Sequence, residues 1–459
     1  MDRTFQVILK PLRRFAIMKP NASLLLFMAT IIAMVLANSP LASSYHQLLA
    51  FPIDLQAGKF NFFSHHGEPM SMLAFVNDAL MAVFFFVIGL EIKQEVLIGE
   101  LSSFRKALLP IIAACGGMIV PVIFYMLVCH EPPASAGAAI PMATDIAFAL
   151  AVLGLLGNRV PLSLRIFLTA LAVVDDIGGI IVIALFYSSH IAIEPLLIAF
   201  GFLALLAIGG RMQINNYFFY FILGFVVWMF FLESGIHPTI AGVLVAFTVP
   251  ARPRVEMDSF TSEMGGYLHL LEQQKVIQSK KATVLSGEQI HVLNNIHVLA
   301  NKTISPLQRI ADKLHPMVNY LILPLFAFVN AGVTFGDINP SSLVHVPLAV
   351  LLGLFLGKSL GIFSFSYLFV KLRIVAMPTG MCKRNLFAVS MLGGIGFTVA
   401  LFIANLSFDA STAEGIDLLN QAKLGVFSGS FISGLVGYFF LKSVLHPMDS
   451  TEPIPNKQG

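Results

Sequence analysis

The sequence predicts an all-α polytopic membrane protein: twelve transmembrane helices, inverted repeats over helices 3–5 and 10–12, discontinuous helices 4 and 11, and a small periplasmic β-hairpin. Three observations carry that expectation. Apolar residues make up 57% of the 459-residue chain and charged residues only 12%, against about 25% charged in an ordinary soluble chain. Apolar runs of about 20 residues alternate with short polar segments, which is the length a helix needs to cross the hydrocarbon layer. Two of those runs are interrupted near the middle, one by proline and one by clustered glycine.

The candidate helices cover about 22–39, 72–98, 108–129, 134–157, 162–188, 191–210, 217–233, 236–250, 315–335, 343–371, 382–405 and 420–441. Loop charge tests the count. Of the 28 Lys and Arg, all but Lys59 and Lys423 (placed outside) and Lys358 (within a helix) fall at the termini or in every second loop. Intervening loops such as "CHEPPASAG" and "FGDINPSS" carry none. This alternation follows the positive-inside rule and puts both termini in the cytoplasm. The net charge of +3 points to no particular partner beyond the lipid bilayer, and nucleic acid is not expected. Cys115, Cys129 and Cys382 cannot all pair, and two lie in or beside apolar runs, so no disulfide framework is expected. The first apolar run, Leu24 to Ala37, follows a basic N-terminus and reads as a retained helix rather than a cleaved signal.

A single transporter domain then occupies 1–441, with a cytoplasmic tail at 442–459. Inside it, 45–70 contains a Gly-Lys step between partly alternating runs and reads as an outside hairpin. The open edges of such a ribbon invite pairing with a second copy, so a homodimer through the hairpin is one expectation and a plain surface hairpin the other. The longest polar stretch, 251–312, reads as a partly helical cytoplasmic connector. Its His269, His291 and His297 are spaced too irregularly for a metal site and read as solvated.

Ionisable residues inside the membrane are few: Asp78, Asp145, Asp175, Asp176 and Lys358, with Glu91 and Glu95 near the inner end of the second helix. Each costs ~2.5–3.5 kcal/mol at a helix centre on insertion scales, so each needs a partner or a task. One lysine cannot neutralise three aspartates. At least two carboxyl groups must be protonated, wet, or bound to a cation. Desolvation and mutual repulsion favour the neutral form of a carboxyl group, and a nearby ammonium favours the charged form. Carboxylates in that balance hold protons or, once bare, offer oxygen ligands to a hard cation such as Na⁺ or Li⁺. Asp175 and Asp176 are adjacent, and ~100° per residue points them apart. One can line an ion cavity while the other turns toward Lys358.

The backbone offers a second signal. Pro141 stands just before Thr144 and Asp145, and Gly393, Gly394 and Gly396 sit at the middle of the eleventh span. Both weaken helices, and broken membrane helices persist only where they line a cavity or lie buried in protein. Interrupted helices at matching places in two repeats point to a transporter binding site. Asp145 suits the positive half-helix ends and Lys358 the negative ones. Close helix packing is the rival reading for the glycines; Gly425, Gly429, Ser433 and Gly437 on the last helix form such a stripe.

The stretches "NDALMAVFFFVIGLEIKQE", "PMATDIAFALAVLGLLGNRVPLSLRIFLTALAVVDDIGGIIVIALFY", "SGIHPTIAGVL", "LHPMVNYLILPLFAFVNAGV" and "GKSLGI" closely resemble the NhaA family of bacterial sodium/proton antiporters. The resemblance covers nearly the whole chain apart from the connector and the tails. It implies an electrogenic, multi-pass inner-membrane antiporter that exchanges two protons for one Na⁺ or Li⁺, is activated at alkaline pH and uses no cofactor. It implies that Asp175 and Asp176 bind cation and proton, that Thr144 and Asp145 mark the crossing of the broken helices, and that Lys358 pairs with the first aspartate. Asp78, Glu91, Glu95 and His237 match positions linked to access or pH response. Where the family commonly has Leu-Glu-His before Leu-His-Pro, this chain reads "RIADKLHP". Ala311 and Asp312 replace a glutamate and a histidine tied to pH sensing, and only His315 remains.

Three other classes compete. An intramembrane aspartyl protease needs two carboxylates converging on one water, but adjacent aspartates diverge and no GxGD stretch is present. A cation channel and a non-transporting membrane sensor stay open as alternatives, since both can carry buried carboxylates.

Overall fold

The computed structural model describes residues 22–54, 56–57, 60–65, 68–188, 191–277, 284–334, 344–378 and 380–445. Lys59, the "FGDINPSS" loop, residues 1–21 and the tail from 446 lie outside the described residues. The chain is a multi-pass helical membrane protein. Among the described residues, seven helices are each long and apolar enough to cross a bilayer: α3 (Met72–Ile98), α4 (Phe104–Val128), α7 (Leu162–Phe186), α8 (Ile193–Arg211), α9 (Tyr217–Ser234), α14 (Val346–Lys371) and α17 (Ala413–Val444). In lipid each backbone N–H must find its partner within the segment, so an apolar run of this length closes into a helix.

Three further apolar pairs are bent: α1 (Ala22–Ala37) with α2 (Ala42–Leu49) by 118°, α5 (Ala134–Met142, wound as a 3₁₀-helix) with α6 (Ile146–Leu155) by 45°, and α15 (Lys383–Leu392) with α16 (Phe397–Ser407) by 49°. A shorter apolar helix, α10, spans Thr239–Thr248. Polar helices α11 (Met257–Ile277) and α12 (Gly287–Thr303) pack on one another within the connector. Helix α13 runs through Pro306–Met317, wider π-type turns at Val318–Ile322, and Leu323–Asn330. Pro316 and Pro324 flank those turns; neither can donate to the ladder, and the widened register absorbs the gap.

Several boundaries differ from the sequence expectation for identifiable reasons. Helix α13 begins at Pro306 rather than near 315, because Ser305 accepts the Gln308 N–H at 3.2 Å and Pro306 occupies the first turn, where no N–H is needed. Helix α17 begins at Ala413 rather than near 420, capped by Thr412, and its polar first turns conceal it from hydropathy. Lys423 therefore lies inside a helix and is buried, rather than in an outside loop. The expected 45–70 hairpin opens on a helix, Ala42–Leu49, whose Tyr45 hydroxyl donates to the Phe328 carbonyl at 2.6 Å. The strands follow it. They pair antiparallel as Pro52↔Ser71 and Ile53↔Met70, Gln56↔Asn61 and Ala57↔Phe60, and Ser64↔Pro69 and His65↔Glu68.

The helices sort into two bundles. Helix α3 packs on α10 and α13, and α8, α9 and α10 on one another; α4 packs on α5, α7 and α14, and α17 on α14, α15 and α16. One continuous apolar core joins the two groups, running from Phe85 and Phe326 to Ile140, Val173 and Phe402. The α4–α14 crossing is the tightest kind: a Cβ on Gly116 would meet the Gly361 carbonyl oxygen, and a Cβ on Gly361 the Gly116 oxygen. Close backbone approach by small residues is how membrane helices gain contact in place of a hydrophobic drive. Gly361→Ala is expected to cost ~1–3 kcal/mol from overpacking, measured by thermal unfolding in detergent. Gly201→Ala, where nothing stands within 4 Å, should leave the melt unchanged or raise it.

Candidate functional site

The two interrupted helices cross at their breaks. Residues 143–145 between α5 and α6 run beside residues 393–396 between α15 and α16, and the Asp145 N–H donates to the Ile395 carbonyl at 2.6 Å. Each break exposes a pair of helix ends, with N–H groups bare on one half-helix and carbonyls bare on the other. Side chains meet all four.

At the positive ends, Asp145 serves two helices with one carboxylate. Its Oδ1 accepts the Phe148 N–H of α6 at 3.1 Å, and its Oδ2 accepts the Thr398 N–H of α16 at 3.1 Å and the Thr398 hydroxyl at 2.5 Å. Ser430 Oγ accepts the N–H groups of Gly396 and Phe397, both at 3.2 Å. At the negative ends, Lys358 Nζ donates to the Met142 carbonyl that closes α5, and Thr144 Oγ1 lies 3.0 Å from the Gly393 carbonyl that closes α15. The negative side chain stands at the positive ends and the positive one at the negative ends, as the helix dipoles favour. Asp145→Ala removes caps from two half-helices at ~1 kcal/mol each; an unchanged melting temperature would show that these caps carry no weight.

The adjacent aspartates lie on α7, where both are buried (Asp175 3% exposed, Asp176 7%), and Lys358 on α14 is fully buried. Asp175 Oδ2 accepts from Lys358 Nζ at 2.9 Å and sits 2.6 Å from Thr144 Oγ1. A hydroxyl has one hydrogen, so Thr144 can donate to Asp175 or to Gly393 but not to both at once. The other oxygen of Asp175, Oδ1, is buried without a hydrogen-bond partner among the described residues. Asp176 has no hydrogen bond from any described residue. The site thus offers hard carboxylate and hydroxyl oxygens with unused lone pairs, a donor set suited to Na⁺ or Li⁺ as cargo and to protons. Among the described residues no group of three or more His, Cys, Asp or Glu gathers as for a resident metal.

Two acid–histidine pairs lie along α3 outside the hydrogen-bonded cluster, with Glu91 of one still within electrostatic reach of Asp176. His237 Nε2 stands 3.6 Å from Asp78 Oδ1 at the α3 end that carries the strands, and His315 Nε2 stands 3.4 Å from Glu91 at the other. Glu95 is engaged locally: its Oε2 accepts the Glu100 N–H at 2.8 Å. Asp175, Thr144, Asp145, Lys358 and Gly393 are therefore brought together; Asp78, His237, Glu91, His315 and Glu95 are not part of that cluster. Pro141 packs against the position a Cβ on Gly353 would take, and Gly394 against Leu354 and Ser433. Sequence reasoning missed Thr398, whose N–H and hydroxyl both donate to Asp145, and Ser430, the hydroxyl cap of α16. Their types are unremarkable in helices, and only the break two residues before Thr398 hints at a cap there.

The profile of the Na⁺/H⁺ antiporter 1 family matches residues 13–441. A protein of Parabacteroides distasonis is 78% identical over 99% of this chain and 100% of its own length. One of Porphyromonas gingivalis is 55% identical over 97% of this chain and 98% of its own, and one of Sulfurimonas denitrificans 40% identical over 96% and 97%. All three relatives are named Na(+)/H(+) antiporter NhaA.

Proposed function

The chain belongs to the Na⁺/H⁺ antiporter family of the NhaA type, and from that premise we propose that it is an electrogenic secondary antiporter of a bacterial inner membrane. It exchanges one cytoplasmic Na⁺ or Li⁺ for two external protons by alternating access, under pH regulation, in the service of sodium and pH homeostasis. The family name supplies Na⁺ and H⁺; the single observation that carries the mechanism is the Asp175 carboxylate, one oxygen held by Lys358 and the other open.

In this reading Asp176 is the first ligand of the cation and Asp175 the partner that trades Lys358 for cation or proton. Lys358, Asp145 and Thr144 stabilise the crossing, so the ion meets a formed site. We read twelve spans, α1, α3, α4, α5 with α6, α7, α8, α9, α10, α13, α14, α15 with α16, and α17; an even number puts both termini on one side, and the loop charges make that side the cytoplasm. Helices 3–5 and 10–12 are the inverted repeats. The 251–312 connector is then cytoplasmic and the short strands periplasmic, where they offer an edge for a homodimer. Asp78 and His237 would line the outer approach, and Glu91, Glu95 and His315 the inner one.

The test is uptake of ²²Na⁺ into proteoliposomes with simultaneous measurement of protons released. Obligatory exchange at about two protons per cation is expected across a range of pH. Sodium current without proton exchange would favour a channel, and no flux at all a sensor.

A further inference from the structure

One face of α16 reaches out of its own bundle into the other. Phe402 is fully buried there, its ring 5.4 Å from Phe85 of α3, 5.3 Å and edge-on from His237, and 6.3 Å from Phe326 of α13. Three residues on, and so on the same face, Asn405 Nδ2 donates to Asn330 Oδ1 at 2.9 Å. Asn330, fully buried at the end of α13, is itself paired with Asn77 of α3 in both directions, at 3.2 and 2.8 Å, and its Nδ2 also donates to the Phe326 carbonyl at 2.9 Å. The hydrogen-bonding capacity of the Asn330 amide is thus filled: two donations in, two out. Asn405 supplies one of the four and is the only one of these partners in the bundle that holds Asp175 and Asp176. This amide cluster lies at the α3 end that carries Asp78 and His237, opposite the Glu91–His315 pair.

We propose that Phe402 and Asn405 form the latch of the outer gate, an aromatic plug keyed by one amide hydrogen bond. They are positioning residues that hold external access to the aspartates shut while the cytoplasmic side is open. The geometry suits a reversible closure. When α16 withdraws, Asn330 keeps three of its four hydrogen bonds, so the static bundle does not unravel, and the Asn405 amide keeps its bond to the Leu401 carbonyl at 2.8 Å while its freed hydrogen turns to water. The inference rests on the alternating-access antiport proposed above and adds to it which residues set the balance between the two faces.

The latch predicts a split that a purely structural residue would not give. The apparent KM for Na⁺ at each face is the intrinsic value divided by the fraction of protein open to that face. Asn405→Ala weakens the inward-open state, so the ratio of cytoplasmic to external KM should rise by roughly two- to tenfold, the worth of one hydrogen bond. It is measured in inside-out and right-side-out proteoliposomes. A lower maximal rate with that ratio unchanged would overturn the latch. A second variant needs no stability argument. In a chain with Cys115, Cys129 and Cys382 replaced by serine, Asn330→Cys with Asn405→Cys should oxidise to a cross-link that stops exchange until a reductant is added. Exchange that continues in the cross-linked protein would refute it, and where the two thiols stand too far apart to join, the KM ratio of Asn405→Ala alone decides. Wild-type vesicles lacking sodium/proton exchange would instead sink the antiport reading, so the two failures are told apart.

Discussion

Asp176→Asn is expected to abolish sodium-driven proton movement while leaving the protein as stable as the wild type. The variant keeps size and shape but removes the negative charge for which, on the proposed reading, Na⁺ and H⁺ compete. A fall of roughly 100-fold corresponds to ~2.7 kcal/mol, just under the ~3–5 kcal/mol that losing one partner of a buried charge pair costs. Stability should hold because Asp176 has no hydrogen bond from a described residue to lose, and its neutral replacement is easier to bury. Dye-reported proton release from proteoliposomes on addition of Na⁺ reads the first part, and thermal unfolding the second. Normal exchange would move the cation ligand elsewhere. A lost activity accompanied by a collapsed melt would make Asp176 structural.

Lys358→Ala should give the opposite pattern, a large loss of stability together with a changed pH dependence of transport. The ammonium holds both the Asp175 carboxylate and the carbonyl end of α5. Without it, an ionised Asp175 keeps only Thr144 and becomes an uncompensated buried charge, at ~3–5 kcal/mol. The deficit should widen as pH rises, because a protonated Asp175 is neutral and its burial is cheap. Below that range the variant should approach the wild type, short of the lost contact to Met142. Melting temperature followed against pH checks the sign. Adding Asp175→Asn to Lys358→Ala should recover most of the stability and none of the transport. If the single variant melts like the wild type at every pH, the pair is not a stabilising one.

How much of this was legible in the residues depends on what a side chain does to the composition around it. Asp175, Asp176 and Lys358 announce themselves because a charge in an apolar run has no cheap explanation, and the structure joins Asp175 to Lys358 at 2.9 Å. Pro141 and the Gly393–Gly396 cluster likewise marked the two bends. What sequence could not provide was the partner across the crossing. Thr398 and Ser430 are small hydroxyl residues of a kind found throughout helices, and Asp145 lies 253 positions before the Thr398 it caps. Nor does composition mark the π-type turns at Phe75–Leu80 and Gly353–Lys358. They change only hydrogen-bond register, yet one carries Asn77 and Asp78 and the other ends on Lys358. Ser305 before Pro306 was a helix start in plain view; the polar surroundings of the connector masked it.

The dryness of the crossing has an electrical consequence. Asp145, Asp175 and Lys358 are each at most 3% exposed, so a charge that passes them passes through protein rather than bulk water, and part of the membrane voltage falls there. On the proposed exchange of two protons for one cation, each turn would move one net charge through that drop. A charge crossing 100 mV gains ~2.3 kcal/mol, enough by itself to sustain a sodium ratio of roughly 50-fold. The cell's voltage, negative inside, would then drive sodium out even where the external medium is as alkaline as the cytoplasm and the proton gradient contributes nothing.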